Sequence, residues 1–506
     1  MFRLGVWRER AEKCIGPLIY GVAAVGTAVF GLKLGQMILS PRWTEPVTAV
    51  GLVLHILLIL ASPVLGFLTW IATSPFGRFA YQVINLGGGV PDLTLDRLVA
   101  ALLVTLLVAQ LATRQRRGVR IGPVEIFAVL YIAAMALSVS SSLMGRTKAI
   151  QNWFDYYAIP FVVYLVAKNL ITNRQDLRAA MHVLLIIGLY MALLATREQI
   201  TGDVWFYPPD RSVIYTADVR RVVALLGNPA YLALVINMAV PFVVYLFATT
   251  PSATAKLFYL GSLAILALGT FMCYNRAGWV ELPLALLVMA LFSPRFRKYL
   301  LPALIVLGLV LALGGTVFLA DSRIAQRLFA QGPIVYRQRA LGVALTMLRE
   351  HLWFGVGFNN YPFYYSRYAF WDPYLRNLPQ PHNSYLTVAL NAGLPAGICY
   401  VLMFAFFLWE TWRLYRRAGE RTFPDRTLIA ALWGAVIAYL ASSVVQDSIM
   451  GIYPTMILGF IMGMTTGAWQ NRVIPPLESV KELRKREAGA TGRAEGNDHP
   501  SPLPAP

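Results

Sequence analysis

The stretch LFYLGSLAILALGTFMCYNRAGWVELPLALLVMALF, from Leu257 to Phe292, decides the fold. As one helix its 36 residues would measure ~54 Å, well beyond the ~30 Å hydrocarbon core of a bilayer. The chain must therefore reverse near the middle, and Asn275-Arg276 is the only strongly polar break there. Two apolar helices joined by a tight turn follow, which is how a membrane chain keeps every backbone group hydrogen-bonded inside its own segment.

The rest of the sequence repeats this theme. Hydrophobic residues make up 57% of the 506 residues, charged residues only 14%, and the mean hydropathy is +0.58. An ordinary soluble enzyme runs nearer ~45–50% apolar, so that class is excluded. Apolar runs and their Pro, Gly or polar punctuation place spans near 96–112, 123–142, 156–172, 178–197, 229–249, 256–274, 277–293, 299–320, 395–412, 427–446 and 449–470. The expected architecture is an all-α polytopic membrane protein with about 12 transmembrane helices and one long periplasmic loop containing short helices. Its parts are N-terminal membrane segments over 1–95, a transmembrane core over 96–320, the loop over 321–394, C-terminal spans over 395–470, and a disordered cytoplasmic tail over 471–506.

The net charge of +19 reads as topology rather than as nucleic-acid binding, because the basic residues collect in short loops. Arg114, Arg116, Arg117 and Arg120 form one cluster, Arg295, Arg297 and Lys298 a second, and Arg413, Arg416, Arg417, Arg421 and Arg426 a third. Alternating the spans puts all three on one side, the cytoplasm. The same alternation puts residues 198–228, the Arg276 turn and 321–394 outside. In the first 95 residues a basic start (Arg3, Arg8, Arg10, Lys13) before Ile15–Phe30 reads as an uncleaved anchor. An even number of crossings before Arg114 then requires that Pro63 divide the run 46–72, or that one run lie in the interface. Cys14, Cys273 and Cys399 are odd in number and sit in or beside apolar runs, so they read as packing residues.

Few residues remain for chemistry. Arg276 is either an arginine snorkelling at the interface or an anion site at the outer boundary. Arg220-Arg221 precede Gly227-Asn228-Pro229, where Pro suits a helix start, and they too fall outside, against the usual bias. A guanidinium fork donates paired hydrogen bonds to phosphate oxygens, so arginines there suit a phosphate-bearing ligand, although plain surface arginine is the simpler reading. In the long loop, Arg337–Trp353 is amphipathic, with Leu341, Ala344, Leu345 and Leu348 on one face. Gly355-Val-Gly357 reads as a turn, since no strand precedes it as a nucleotide loop would need. His382 stands where the chain returns toward the membrane; it is either structural or a proton acceptor near neutral pH. His55 and His182 read as packing or hydrogen-bonding residues. No spacing suggests a metal or cofactor site, and Gly459-Phe-Ile-Met-Gly463 suits a close helix contact.

Together, RVVALLGNPAYLA (221–233), NRAGW (275–279), RQRALGVALTMLREHLWFGVGFNNY (337–361) and PHNSYLTVALNAGLPAG (381–397) resemble the O-antigen ligase and O-antigen polymerase superfamily over about residues 90–470. Leu341 stands where that family often has Trp, and Leu352 where it often has Pro. The resemblance implies a metal-independent, inverting glycosyltransferase of the bacterial inner membrane, active on the periplasmic face. It would move a glycan from an undecaprenyl diphosphate carrier to lipid A-core or to a growing polysaccharide. Arg221 and Arg276 would bind the donor diphosphate, Arg337 and Asn383 would support the site, and His382 would orient or deprotonate the acceptor hydroxyl. A polymerase using the same site is the near alternative. A polytopic transporter or lipid flippase is the distant one, and the sparse charges inside the spans, Glu281 chief among them, argue against it.

Overall fold

Small polar residues at the ends of the apolar runs set where helices begin: side chains of Thr94, Asn173, Asn228, Ser252, Asn275, Asn383 and Asp425 each accept a first-turn backbone N–H. The computed structural model describes residues 44–80, 92, 94–113, 120–204, 214–216, 219–298, 300, 302, 305, 332–369, 380–419 and 423–470. Within them the chain is a helical polytopic membrane protein. Helices α1 (Thr44–Ala61), α2 (Pro63–Ala80), α3 (Leu95–Ala112) and α4 (Pro123–Ser138) come first. Next is a rod in three parts: α5 (Arg146–Trp153), a π-helical segment (Phe154–Ala158) and α6 (Ile159–Leu170). After α7 (Arg174–Thr201) come two short antiparallel strands, β1 (Ile214–Thr216) and β2 (Val219–Arg221). Then follow α8 (Pro229–Thr249), α9 (Ala253–Met272) and α10 (Arg276–Phe292). The long loop carries α11 (Gly332–Glu350), α12 (Tyr361–Ala369) and α13 (Ser384–Ala392), and α14 (Leu394–Arg417), α15 (Arg426–Val445) and α16 (Ile452–Gln470) close the described chain.

Among the described residues seven helices are long and apolar enough to cross a membrane: α3, α4 with its 3-10 extension to Ser141, α7, α8, α9, α14 and α15. The sequence-read spans near 156–172, 277–293 and 449–470 are helices too, each shorter or less apolar over that length. The expected run 15–37, most of the span near 299–320, residues 321–331 and the tail lie outside the described residues. At Pro63 the structure takes the first of the two readings. Residues seven apart in a straight helix lie ~10 Å apart. Yet a Cβ on Gly66 would stand 2.5 Å from the Ile59 side chain, so the chain folds back at Ser62-Pro63 into two helices.

The core gathers around α8, whose side chains are almost all buried beneath α7, α9, α10 and α15. At one end of the bundle the buried Lys168 ammonium at the close of α6 meets the buried Glu125 carboxylate at the start of α4. Tyr164 donates to the same oxygen, and Gly122 N–H to the other at 2.7 Å. An ion pair this dry survives only because its hydrogen bonds are made.

On α16, an added Cβ on Gly459, Gly463 or Gly467 would stand 2.4, 2.3 or 2.4 Å from the carbonyl oxygens of Pro160, Tyr164 and Lys168 on α6. The small-residue contact expected at Gly459 and Gly463 is thus real and extends one turn further, with backbone against backbone. Gly463→Val is expected to force the two helices apart and lower the melting temperature in detergent by several degrees. An unchanged melting temperature would contradict the close packing.

Candidate active site

At the other end of the bundle the helix starts of α8, α10, α13, α14 and α16 collect, each presenting the positive end of its dipole. The sequence-read residues are fastened to these starts. Arg221 closes β2, and the segment after it is held by Glu198 in the last turn of α7. That buried carboxylate accepts Val223 N–H at 3.0 and 3.2 Å and Ala224 N–H at 2.7 Å. The charges of Arg221, Glu198 and Glu281 all reach the buried Cys273 thiol at the end of α9, which sets Arg221 beside the α9–α10 turn. In that turn Asn275 caps α10 by accepting Gly278 N–H at 3.1 Å, and half-buried Arg276 opens the helix. Phe271, Tyr274 and Trp279 wrap the turn, with Phe271 and Trp279 stacked at 5.5 Å.

Arg276 and Arg337, the latter half-buried on α11, feel one another's charge, and burial together with that repulsion draws the Arg337 guanidinium pKa down. Arg337 in turn acts on His382, whose ring lies 5.7 Å from the Tyr336 ring. Burial first and the Arg337 charge second lower the His382 pKa to about 4, so its imidazole is neutral at physiological pH. The structure therefore joins Arg276, Arg337 and His382 in one chain of charge contacts. Arg221 approaches from the Cys273 side and does not enter the His382 shift.

The residue that fixes His382 was not among those read from the sequence. Asp447, in the turn between α15 and α16, is 1% exposed. Its carboxylate accepts His382 N–H at 2.9 Å, Asn383 N–H at 3.1 Å and the Thr387 hydroxyl, while its backbone carbonyl accepts Tyr231 O–H from α8 at 2.9 Å. Burial raises the Asp447 pKa to about 6, against the pull of those three donors, so it is ionised at neutral pH. The one available signal was an acid alone in the short polar gap between two apolar runs. Asn383 is a positioning residue: its oxygen caps α13 at Leu386 N–H, 3.0 Å, and its amide donates to Val444 O at 2.9 Å.

Backbone strain marks the same places. Among the described residues four non-glycine residues have positive φ: Ala224 (40°), Tyr274 (47°), Asn359 (52°) and His382 (54°). Each costs ~1–3 kcal/mol and persists only where its surroundings insist. Three of them flank or are the residues read from the sequence. Helix α11 begins at Gly332, earlier than expected, and packs Ala340, Ala344, Met347 and Leu348 inward. Leu341 and Leu345, expected on that face, are 40% and 41% exposed. The buried set follows the i, i+4, i+7, i+8 stripe. Gly355 and Gly357 form the expected turn, docked by Val356 N–H on Leu390 O at 2.7 Å.

Residues 261–401, from α9 to the first turns of α14, match the O-antigen ligase family. The teichuronic acid biosynthesis protein TuaE of Bacillus subtilis (strain 168) is 27% identical over 119 residues, which is 24% of this chain and 24% of that protein. The chain thus covers about a quarter of that relative's length. Over residues 261–401 the chain is thus similar to the O-antigen ligase family. The family match takes in Arg276, Arg337, His382 and Asn383, while Arg221 and Asp447 lie to either side of it.

Burial first, and the Arg337 charge second, are expected to hold His382 neutral. Arg337→Gln removes a neighbouring cation, stabilises the imidazolium and so raises the His382 pKa from about 4 toward 6.5. NMR titration of histidine-labelled protein, with His382→Ala to assign the resonance, checks this. A native His382 already titrating near 6.5 would contradict it.

Proposed function

We propose that the chain is a membrane glycosyltransferase of the ligase type. It takes a glycan from undecaprenyl diphosphate and joins it to an acceptor hydroxyl, lipid A-core in the first instance, at the periplasmic face of the bacterial inner membrane. The observation that carries the reading is the run of charge contacts from Arg276 through Arg337 to a neutral, backbone-anchored His382. The family match over 261–401 and the collected helix starts support it.

Arg221 and Arg276 hold the diphosphate, and Arg337 adds its charge between them and the histidine. The acceptor oxygen attacks the anomeric carbon from the face opposite the leaving group, so the configuration inverts. The sugar–diphosphate bond breaks, its electron pair leaves with undecaprenyl diphosphate, and the arginines stabilise that charge. With a pKa of about 4, the empty-site imidazole is a weak base. A bound diphosphate offsets Arg337 and raises its basicity, so His382 orients the hydroxyl first and accepts its proton as the new C–O bond forms.

A polymerase joining repeat units on the same carrier would use the same groups, and the relative in teichuronic acid biosynthesis keeps that reading in view. Glycan analysis of a deletion strain separates the two: polymer retained on the carrier marks the ligase, a single accumulated repeat unit the polymerase. His382→Ala is expected to abolish transfer while protein level and donor binding stay near normal, and Arg276→Ala to weaken donor binding. Full transfer by His382→Ala would remove the role given to the histidine.

A further inference from the structure

A cavity of about 280 Å³ opens beside the His382 segment, away from the arginines. Gln380 and Pro381, the two residues before the histidine, line it, as does Thr387, whose hydroxyl shares the Asp447 carboxylate with the His382 N–H. Across from them stand Tyr156 of the π-helical segment, Tyr361 and Asn391. Every lining residue among those described is uncharged. The wall mixes phenol rings and carboxamides with a few apolar side chains, the pairing that suits a sugar: rings against its C–H faces, amides against its hydroxyls.

One of these groups is unsatisfied: the Tyr361 hydroxyl, on a residue 3% exposed, is buried without a hydrogen-bond partner among the described residues. Asn391 is engaged within the protein, its oxygen by Asn359 N–H at 3.1 Å and its amide by the neighbouring Tyr157 hydroxyl. Buried polar groups are almost always paired, so an orphan hydroxyl on a small cavity calls for a partner that comes and goes. A solvating water or a ligand hydroxyl would serve, and the cavity is far larger than one water needs. Tyr361 also lies within electrostatic reach of Tyr336 and Asp447, the two groups that touch the His382 segment. The cavity therefore adjoins the His382 segment through Gln380, Pro381 and Thr387, and neither Arg276 nor Arg337 lines it.

We propose that this cavity is the acceptor-sugar subsite, taking one neutral pyranose ring and presenting its hydroxyl toward His382, with Tyr361 as the specificity-determining donor. The inference rests on the transferase reading and adds the class of acceptor: an uncharged sugar at the attacking end, because among the described residues no cation lines the wall to receive a carboxylate or phosphate. The donor's diphosphate belongs with the arginines, and the donor glycan is the other source of sugar chemistry that the cavity could meet.

Tyr361→Phe deletes only the orphan hydroxyl and leaves the protein's own hydrogen bonds intact, so it reads ligand contact rather than folding. Gln380→Trp fills the cavity from its other side. With full-length protein in detergent, lipid-linked donor, and acceptor extracted from a strain lacking this chain, Tyr361→Phe is expected to raise the acceptor KM about ten-fold, the loss of one good hydrogen bond, and Gln380→Trp to raise it at least as much by exclusion. The donor KM and kcat should stay within about two-fold. An unchanged acceptor KM overturns the proposal, and a rise in the donor KM alone assigns the cavity to the donor glycan and overturns it as well. If the native chain transfers nothing, saturation-transfer NMR with maltotriose decides. Signals that both variants remove leave the sugar site standing while the transferase reading falls, and no signal, or signals untouched by either variant, sinks the subsite too.

Discussion

A single buried carboxylate holds the candidate site together. Asp447 receives two backbone N–H groups and one hydroxyl from the start of α13, while Tyr231 of α8 grips the carbonyl of the same residue. A carboxylate this deep is expensive unless its oxygens are filled, so the turn, the helix start and the histidine between them have one arrangement open to them. The positive φ of His382 is the local cost of that arrangement. Glu198 does the same for Arg221, taking the N–H groups of Val223 and Ala224 where the chain bends through another positive φ. Two buried acids thus place two of the candidate site residues.

The bundle divides its polar chemistry between its ends. At one end Lys168 and Glu125 neutralise each other in a closed, hydrogen-bonded pair, which suits a structural tie. At the other, Arg276 and Arg337 lie close enough for each to feel the other's charge. Like charges brought together beside the N-terminus of α10 give that end of the molecule a positive field, which suits an anion. A carrier diphosphate meets that need, and the neutral cavity on the far side of the histidine meets the needs of a sugar.

The helices were legible because their signals are local. Asn228-Pro229 and Asn275-Arg276 announce helix starts through short side chains next to the residues they cap, and the Gly459–Gly463 spacing announces a close contact on one face. Arg276, Arg337 and His382 were legible as odd polar residues in an apolar chain, and through the resemblance of their motifs. The parts that were not legible depend on contacts distant in sequence. Asp447 meets His382 across 65 residues, and Glu198 meets Val223 across 25. The π-helical turn that aims Tyr156 into the cavity leaves no mark in periodicity. The inward stripe of α11 was legible at Ala344 and Leu348 but not at Leu341 and Leu345, because leucine outranks alanine in hydrophobicity, whereas it is the small Ala340 that packs inward against Ala369 of α12.

The most direct test of this account is an electron cryomicroscopy structure of the full chain with an undecaprenyl diphosphate-linked glycan bound. The expected density places the diphosphate between Arg221 and Arg276, with Arg337 beside it and the first sugar facing the His382 imidazole. Diphosphate density at the opposite end, among the basic residues that follow α10 and α14, would contradict it.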